Sequence, residues 1–296
     1  MKITAIPRKG SSVSTRVHFY YYLNNLPEGY EWEHHKKNFG DVLYVQKKAD
    51  DETVKIAKKA KSLGVPIVYD CDDNPKEKPG SRRTTMLALA DAVTTDTEER
   101  GKQLKEASGV ENIIVIPECL DYVGMIRPVG LRRDVNILIT FGNNSNAVHS
   151  AKYMKYVDIE CRHINAKPIE GAGKFVPWNL DTFTEDLSKG DVCLLAHNDD
   201  RKSNLKLLVA MAMGIPTIVS DTKAYRETYD KMGLNWLVAK RFEDTKEILE
   251  RLKPIRERKN IRLRYAEYDW KLHQPKEAAK RLAKVFEKVI HEKSIS

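Results

Sequence analysis

The stretch 191–220, DVCLLAHNDDRKSNLKLLVAMAMGIPTIVS, decides the fold. It opens on a short apolar run, Asp191–Ala196, of strand length and aliphatic composition. A polar loop from His197 to Lys202 follows, and then an apolar helical pattern over Ser203–Met213. Gly214 and Pro216 break that pattern, and Pro216–Ser220 reads as a second buried strand. Strand, loop, helix and strand in this order make a βαβ unit, which needs parallel strands covered on both faces. The loop is also the sharpest phosphate signal in the chain. Lys202 stands at the predicted helix start, where unpaired amides favour an anion, and Lys206 lies one turn on, on the same side.

The alternation extends outward from there. Strands are expected at Lys2–Pro7, Asp41–Gln46, Pro66–Asp70, Ala92–Thr95 and Asn112–Ile116, with helical patterns at Arg16–Leu26, Asp51–Leu63, Arg82–Ala90 and Thr97–Ala107. A second series then starts. Val135–Phe141 and Ile159–Asn165 read as strands, and Asn146–Tyr156, Thr182–Ser188 and Lys223–Met232 as helices. From Gln274 onward, Ala278, Ala279, Leu282, Val285, Phe286, Val289 and Ile290 fall on one helical stripe. The two series join near Tyr122–Arg133. They predict an α/β chain of two Rossmann-like domains facing across a cleft, 1–125 and 132–270, with 271–296 as a helix bridging back.

At 296 residues the chain suits two ordinary domains, and its 41% hydrophobic share is enough for two cores. Mean hydropathy is -0.53. The longest apolar stretch, Leu207–Val219, is too short to span a bilayer, and no basic start precedes an apolar run. A cytoplasmic location with no membrane partner is therefore expected. The four cysteines, Cys71, Cys119, Cys161 and Cys193, stand apart, without the spacing of a zinc knuckle or redox pair. His18, His34, His35, His149 and His163 likewise show no metal-ligand spacing and read as surface or satisfied core histidines. No metal site is expected. Net charge is +9, and residues 240–296 hold 17 Lys/Arg against 10 Asp/Glu, a net of +7. Such a region attracts nucleic acid or another polyanion, or is a solvated helical face. In Tyr20-Tyr21-Tyr22, core packing is favoured over stacking on an acceptor.

Two further loops at predicted strand ends carry polar chemistry. Lys9-Gly10-Ser11-Ser12-Val13-Ser14-Thr15-Arg16 has the small hydroxyls, glycine and cations of a phosphate cradle, though not the spacing of a Walker loop. A flexible connector fits it equally. Asp70-Cys71-Asp72-Asp73 places three carboxylates at the end of an apolar strand. Carboxylates this close repel, so some must be paired, hydrogen-bonded or protonated; they suit a base, a hydroxyl-orienting group or a cation site.

These residues resemble the GT-B glycosyltransferases of the family 4-like kind (glycosyltransferase group 1). The likeness rests on Asp191–Ala196, Lys202-Ser203-Asn204-Leu205-Lys206, and Gly214-Ile215-Pro216-Thr217-Ile218-Val219-Ser220. Tyr69-Asp70-Cys71-Asp72-Asp73, Ala90–Glu98, Val115-Ile116-Pro117-Glu118-Cys119-Leu120-Asp121 and Phe141-Gly142-Asn143 extend it in the right order over about residues 65 to 230. The resemblance implies an enzyme that transfers a sugar from a nucleotide-sugar donor, a UDP-sugar first among them, with no further cofactor; a divalent cation is left open. It implies donor-diphosphate contacts from Lys202, Ser203, Asn204, Lys206, Gly142 and Asn143, with Arg16 added from the first cradle. Asp70, Asp72 and Asp73 would face the acceptor. Small enzymes of this kind occur in bacteriophages, where some modify hydroxymethylated DNA bases. That makes DNA a candidate acceptor, the host cytoplasm its place, and Tyr265, Tyr268 and Trp270 in the basic tail candidate base-stacking groups. One departure stands out. Val209 and Arg201 occupy positions where the family carries the acidic residues that recognise the donor ribose. Either the donor has changed, or the chain is a catalytically inactive GT-B-like module that binds nucleic acid or another anionic partner.

Overall fold

The computed structural model describes residues 1–8, 15–72, 81–120, 126–197 and 203–295. The chain forms two units, Met1–Asp121 with Asp269–Ser296, and Tyr122–Tyr268.

The first unit holds strands β1 (Lys2–Ile6), β2 (Glu31–His34), β3 (Val42–Gln46), β4 (Ile67–Asp70), β5 (Ala92–Thr95) and β6 (Ile113–Val115). They form one parallel sheet in the order β2-β1-β3-β4-β5-β6. Every residue of β3, β4 and β5 is buried, as a sheet covered on both faces requires. Helices α1 (Asp51–Ser62), α2 (Arg82–Leu89) and α3 (Glu98–Ser108) start on Asp50, Ser81 and Thr97, whose side chains accept from Thr53 N, Thr84 N and Arg100 N. One core gathers Leu43, Val45, Ile67, Tyr69, Met86 and Leu104. The predicted helix at Arg16–Leu26 departs from regularity: Arg16–Tyr21 is a π-helix, followed by one α-turn at Tyr22–Asn24. The widened turn buries three consecutive side chains, Val17, His18 and Phe19, which a regular helix would spread around its circumference.

The second unit holds β7 (Ile137–Phe141), α4 (Asn144–Met154), β8 (Glu160–Asn165), β9 (Lys174–Pro177), α5 (Phe183–Ser188), β10 (Val192–Leu195), α6 (Leu205–Ala212), β11 (Thr217–Ser220), α7 (Lys223–Asp230), β12 (Val238–Ala239), α8 (Asp244–Leu252) and α9 (Ile255–Ala266). Its parallel sheet runs β12-β11-β10-β7-β8-β9. Counted from β7, that is the Rossmann order read from the far edge, with its reversal between β7 and β10. In the first unit the reversal lies between β1 and β3.

The last helix, α10 (Pro275–Ile295), belongs to the first unit. The stripe from Ala278 to Val289 is buried there, with the Phe286 ring edge-on to Tyr44 at 5.7 Å. Lys288 donates to Asn112 Oδ1 at 3.0 Å.

Both sheets use one device to hold a central strand in register. Asp91 stands just before β5, and its Oδ2 accepts from Ile67 N of β4 at 2.9 Å. Asp191 stands just before β10, and its Oδ2 accepts from Asn136 N at 3.0 Å and Ile137 N at 2.9 Å. The Asp191 carboxylate is 2% exposed and also pairs with Arg132 at 3.0 Å. Asp191→Ala strands two main-chain donors at the start of the central strand β7 and should lower stability by about 3 kcal/mol in urea unfolding. Asp181→Ala, at an exposed position, should change it by less than about 0.5 kcal/mol.

Candidate functional site

The second unit gathers polar groups at its sheet reversal, where open α/β sheets take their ligands. Gly142 follows β7 with φ +142, and a Cβ there would lie 2.7 Å from Lys206 Nζ and 2.9 Å from Asn146 Nδ2. The Lys206 ammonium therefore rests against the glycine backbone. Asn143 caps α4: its Oδ1 accepts from Asn146 N at 3.1 Å and from Ser145 Oγ at 2.8 Å. Across the reversal His197 follows β10. Its main-chain N donates to Ser220 Oγ at 2.8 Å, and its Nδ1 donates to Asn146 Oδ1 at 2.8 Å. A cation, a bare glycine and the N-terminus of an eleven-residue helix are groups whose charge and dipole favour an anion.

The first unit gathers buried charge at the carboxyl ends of its strands. His18, from the π-helix, sits between two carboxylates: Nδ1 is 3.2 Å from Asp70 Oδ2, and Nε2 is 3.2 Å from Glu118 Oε1. Asp70 Oδ1 also accepts from Thr94 Oγ1 at 2.9 Å. Asp72 lies 4.0 Å from His18 Nε2 and pairs with Lys47 Nζ at 2.6 Å. Lys47 has φ +58, a left-handed backbone that is costly for a side chain of this size and points to a constrained site. Asp96, at the end of β5, accepts from Thr95 Oγ1 at 3.3 Å and pairs with Arg100 at 3.6 Å. His18, Asp70, Asp96 and Glu118 are each 3% exposed or less, and Asp72 is 7% exposed.

Burial acts to lower the His18 pKa, but Asp70, Glu118 and Asp72 outweigh it, so the ring is held well above its ordinary value. Both ring nitrogens then donate. Burial raises Asp70 despite the opposing effect of His18. Burial also pushes Asp96 up to about 7, opposed by Arg100 and reinforced by Glu118 and Asp72. With His18 charged, Lys47, Arg100 and His18 face four carboxylates. Ligand atoms of His18, Asp72 and Glu118 lie within 4.8 Å of one another. A divalent cation there would have to displace the His18 proton and the Lys47 ammonium that neutralise these carboxylates.

The structure brings Gly142, Asn143 and Lys206 together in the second unit, and Asp70 and Asp72 together in the first. Asn204 points elsewhere: it is 8% exposed, and its Nδ2 donates to Thr228 Oγ1 at 2.9 Å. Ser203 stands just before α6, its Oγ 3.5 Å from Leu205 N. Arg16 opens the π-helix of the first unit. Asp73 and Lys202 lie outside the described residues, as do the loop 9–14, Asp199, Asp200 and Arg201. Val209 is a core residue of α6, 1% exposed. Tyr265 is not available for stacking: it is 2% exposed, with its hydroxyl 3.1 Å from that of Tyr229. Lys47, Asp96 and Glu118 were not singled out as site residues in the sequence, and His18, read there as a surface or satisfied core histidine, is a buried one with both ring nitrogens partnered. The one local signal was Glu118, a carboxylate two positions after Ile116 in an Ile-Pro turn.

No protein-family model and no curated protein sequence matches this chain. Solved structures do. WaaG, a glycosyltransferase involved in lipopolysaccharide biosynthesis, matches at TM-score 0.64 and 12% identity over 94% of this chain and 98% of that one. HepE of Anabaena in complex with UDP matches at TM-score 0.69 and 11% identity over 97% and 100%. The lipopolysaccharide outer core galactosyltransferase WaaB matches at TM-score 0.66 and 15% identity over 97% and 100%. The chain therefore has the two-domain GT-B fold of these glycosyltransferases.

The buried group gives stability a definite pH dependence. Asp96 moves from 3.8 to about 7 on folding, so the folded chain keeps a proton that the unfolded chain has lost across that window. Stability should fall as pH rises from about 4 to about 7. The raised His18 value continues the loss above 6.5. Urea midpoints measured between pH 5 and 8 should decline with pH, and Asp96→Asn should flatten the decline below pH 7.

Proposed function

We propose that the chain is a nucleotide-sugar-dependent glycosyltransferase that moves a sugar, from a UDP-sugar by preference, to a hydroxyl acceptor. The observation that carries this is the Lys206 ammonium seated against Gly142 at the sheet reversal of a GT-B second domain. Structures of the same fold have been solved with UDP and with UDP-glucose, HepE at TM-scores 0.69 and 0.64. In the proposed reaction the acceptor oxygen bonds to the anomeric carbon while the bond from that carbon to the diphosphate oxygen breaks. Lys206 and the first amides of α4 stabilise the charge that develops on the departing diphosphate, with Lys202 assigned to the same anion. Asp72, the most exposed carboxylate of the buried group, takes or orients the acceptor proton, with Asp73 beside it in sequence. Lys47 and, at 4.0 Å, His18 hold Asp72 in place. A cytoplasmic reaction is part of the same proposal. No helix among the described residues is long and apolar enough to cross a membrane.

A hydroxymethylated DNA base is the finer acceptor reading, supported by the basic region 240–296. That support is divided, since residues 240–268 carry a net of +4 in the second unit and 269–296 a net of +3 in the first. The burial of Tyr265 removes one of its stacking groups. Val209 favours a second reading, a GT-B-like module without catalysis, because an apolar core side chain replaces the family's ribose-binding carboxylate.

Thermal unfolding with UDP, GDP, ADP and TDP sugars separates the two. A bound donor at 100-fold excess over its Kd should add about 2.7 kcal/mol; no shift with any of them would favour the inactive module. Gly142→Ala, which drives a methyl into Lys206, and Lys206→Ala should each weaken UDP binding by about tenfold or more with the fold retained. Asp72→Asn should lower kcat by about 100-fold with donor affinity kept. Equal loss of both would remove Asp72 from the acceptor side.

A further inference from the structure

A second polar feature lies at the sheet reversal of the first unit, apart from the buried carboxylates. The carboxyl ends of β1, β2 and β3, with α1, enclose an open groove of about 570 Å³. Arg8 follows β1, Lys36 follows β2, Lys48 follows β3, and Lys55 stands on α1; the acid among its lining residues is Glu52. Lys48 has an ion-pair partner in Asp50 at 3.5 Å. Arg8, Lys36 and Lys55 have no ion-pair partner among the described residues. Like charges converging on one hollow repel, and the hollow focuses a positive potential that an anion relieves. Tyr20, 38% exposed, supplies an aromatic wall.

The groove adjoins the proposed chemistry through neighbouring residues of two segments. Lys47 pairs with Asp72, while Lys48 lines the groove. His18 sits among the carboxylates, while Tyr20 of the same π-helix lines the groove. The strand order gives the same location independently, since ligands of open α/β sheets bind where the order reverses.

We propose that this groove binds a phosphate group carried by the acceptor, and that the acceptor is a compact phosphorylated saccharide. The inference rests on the glycosyltransferase reading for the word acceptor, but the anion site stands on its own residues. Its size is that of a small-ligand pocket, for which about 300–1,000 Å³ is usual. A nucleic-acid duplex would instead call for a stripe of cations following a charge every 1.7 Å or so. Here the cations surround one hollow.

Pyridoxal 5′-phosphate tests this on the full chain. Its aldehyde condenses with a lysine ε-amine to an imine with loss of water, and borohydride supplies the hydride that fixes the product as a secondary amine for peptide mapping. Labelling at Lys36, Lys48 or Lys55 should exceed that at the exposed Lys102 and Lys280 at least fivefold. It should fall to their level with pyridoxal, which lacks the phosphate, and fall severalfold in Arg8→Gln. Glucose 6-phosphate should protect these lysines. Labelling no greater than at Lys102, or equal labelling by pyridoxal, overturns the anion site. Protection by a single-stranded oligonucleotide but not by the sugar phosphate overturns the compact acceptor in favour of a nucleic-acid strand. The UDP-dependent melting shift is read separately. Selective labelling without that shift leaves the anion site standing and removes the transferase reading, and a shift without selective labelling removes the groove alone.

Discussion

Four carboxylates inside one domain demand compensation, and His18 between Asp70 and Glu118 is where that demand is met. Isolated buried carboxylates would each bear a desolvation penalty of several kcal/mol, far beyond what a domain of ordinary stability tolerates. The imidazolium answers two of them directly, Lys47 answers Asp72, and Arg100 answers Asp96. Much local geometry follows from this. The π-helix turns His18 inward, Tyr44 fixes it by donating to the His18 carbonyl at 2.7 Å, and the strained Lys47 backbone aims an ammonium at Asp72. A group this buried is a support. It fixes the position of Asp72 through Lys47 at 2.6 Å and His18 at 4.0 Å.

The two units use the same architecture for different charge. In each, parallel strands deliver all their carboxyl ends to one edge, and the reversal of strand order opens a crevice there. The second unit lines that edge with a lysine, a glycine and amides. The first lines it with acids held inside and cations left outside. The former offers an anion a cation and main-chain donors, the latter a ring of side-chain cations.

The β-branched and aliphatic runs made most central strands legible from sequence, and β5 lies where the pattern put it. The edges were harder. Glu31–His34 and Lys174–Pro177 are half-exposed and carry charged residues, the composition that guards a sheet edge against further pairing, so neither reads as a strand. Val238–Ala239 is too short for any periodicity. Gly142, Asn143 and Lys206 were singled out through the resemblance to the GT-B pattern, and the structure places Lys206 against Gly142. His18, Asp70 and Glu118 meet across sequence separations of 52 and 100 residues, which no local spacing reports. Asn204 shows the converse: a polar residue in a loop motif turned inward to Thr228 because α6 starts at Leu205.

The first unit is interrupted. The chain leaves it at Asp121, forms the whole second unit, and returns at Asp269. Phe286, which closes the face of the sheet at Tyr44, thus emerges during synthesis only after the whole second unit. Domains ordinarily mature in the order they are translated. Here the inserted unit can complete itself while the surrounding one still exposes the apolar surface that α10 will cover. On the ribosome, the later-encoded unit should therefore acquire protease resistance first, and the earlier one should need a chaperone or the arrival of α10 to keep it from aggregating.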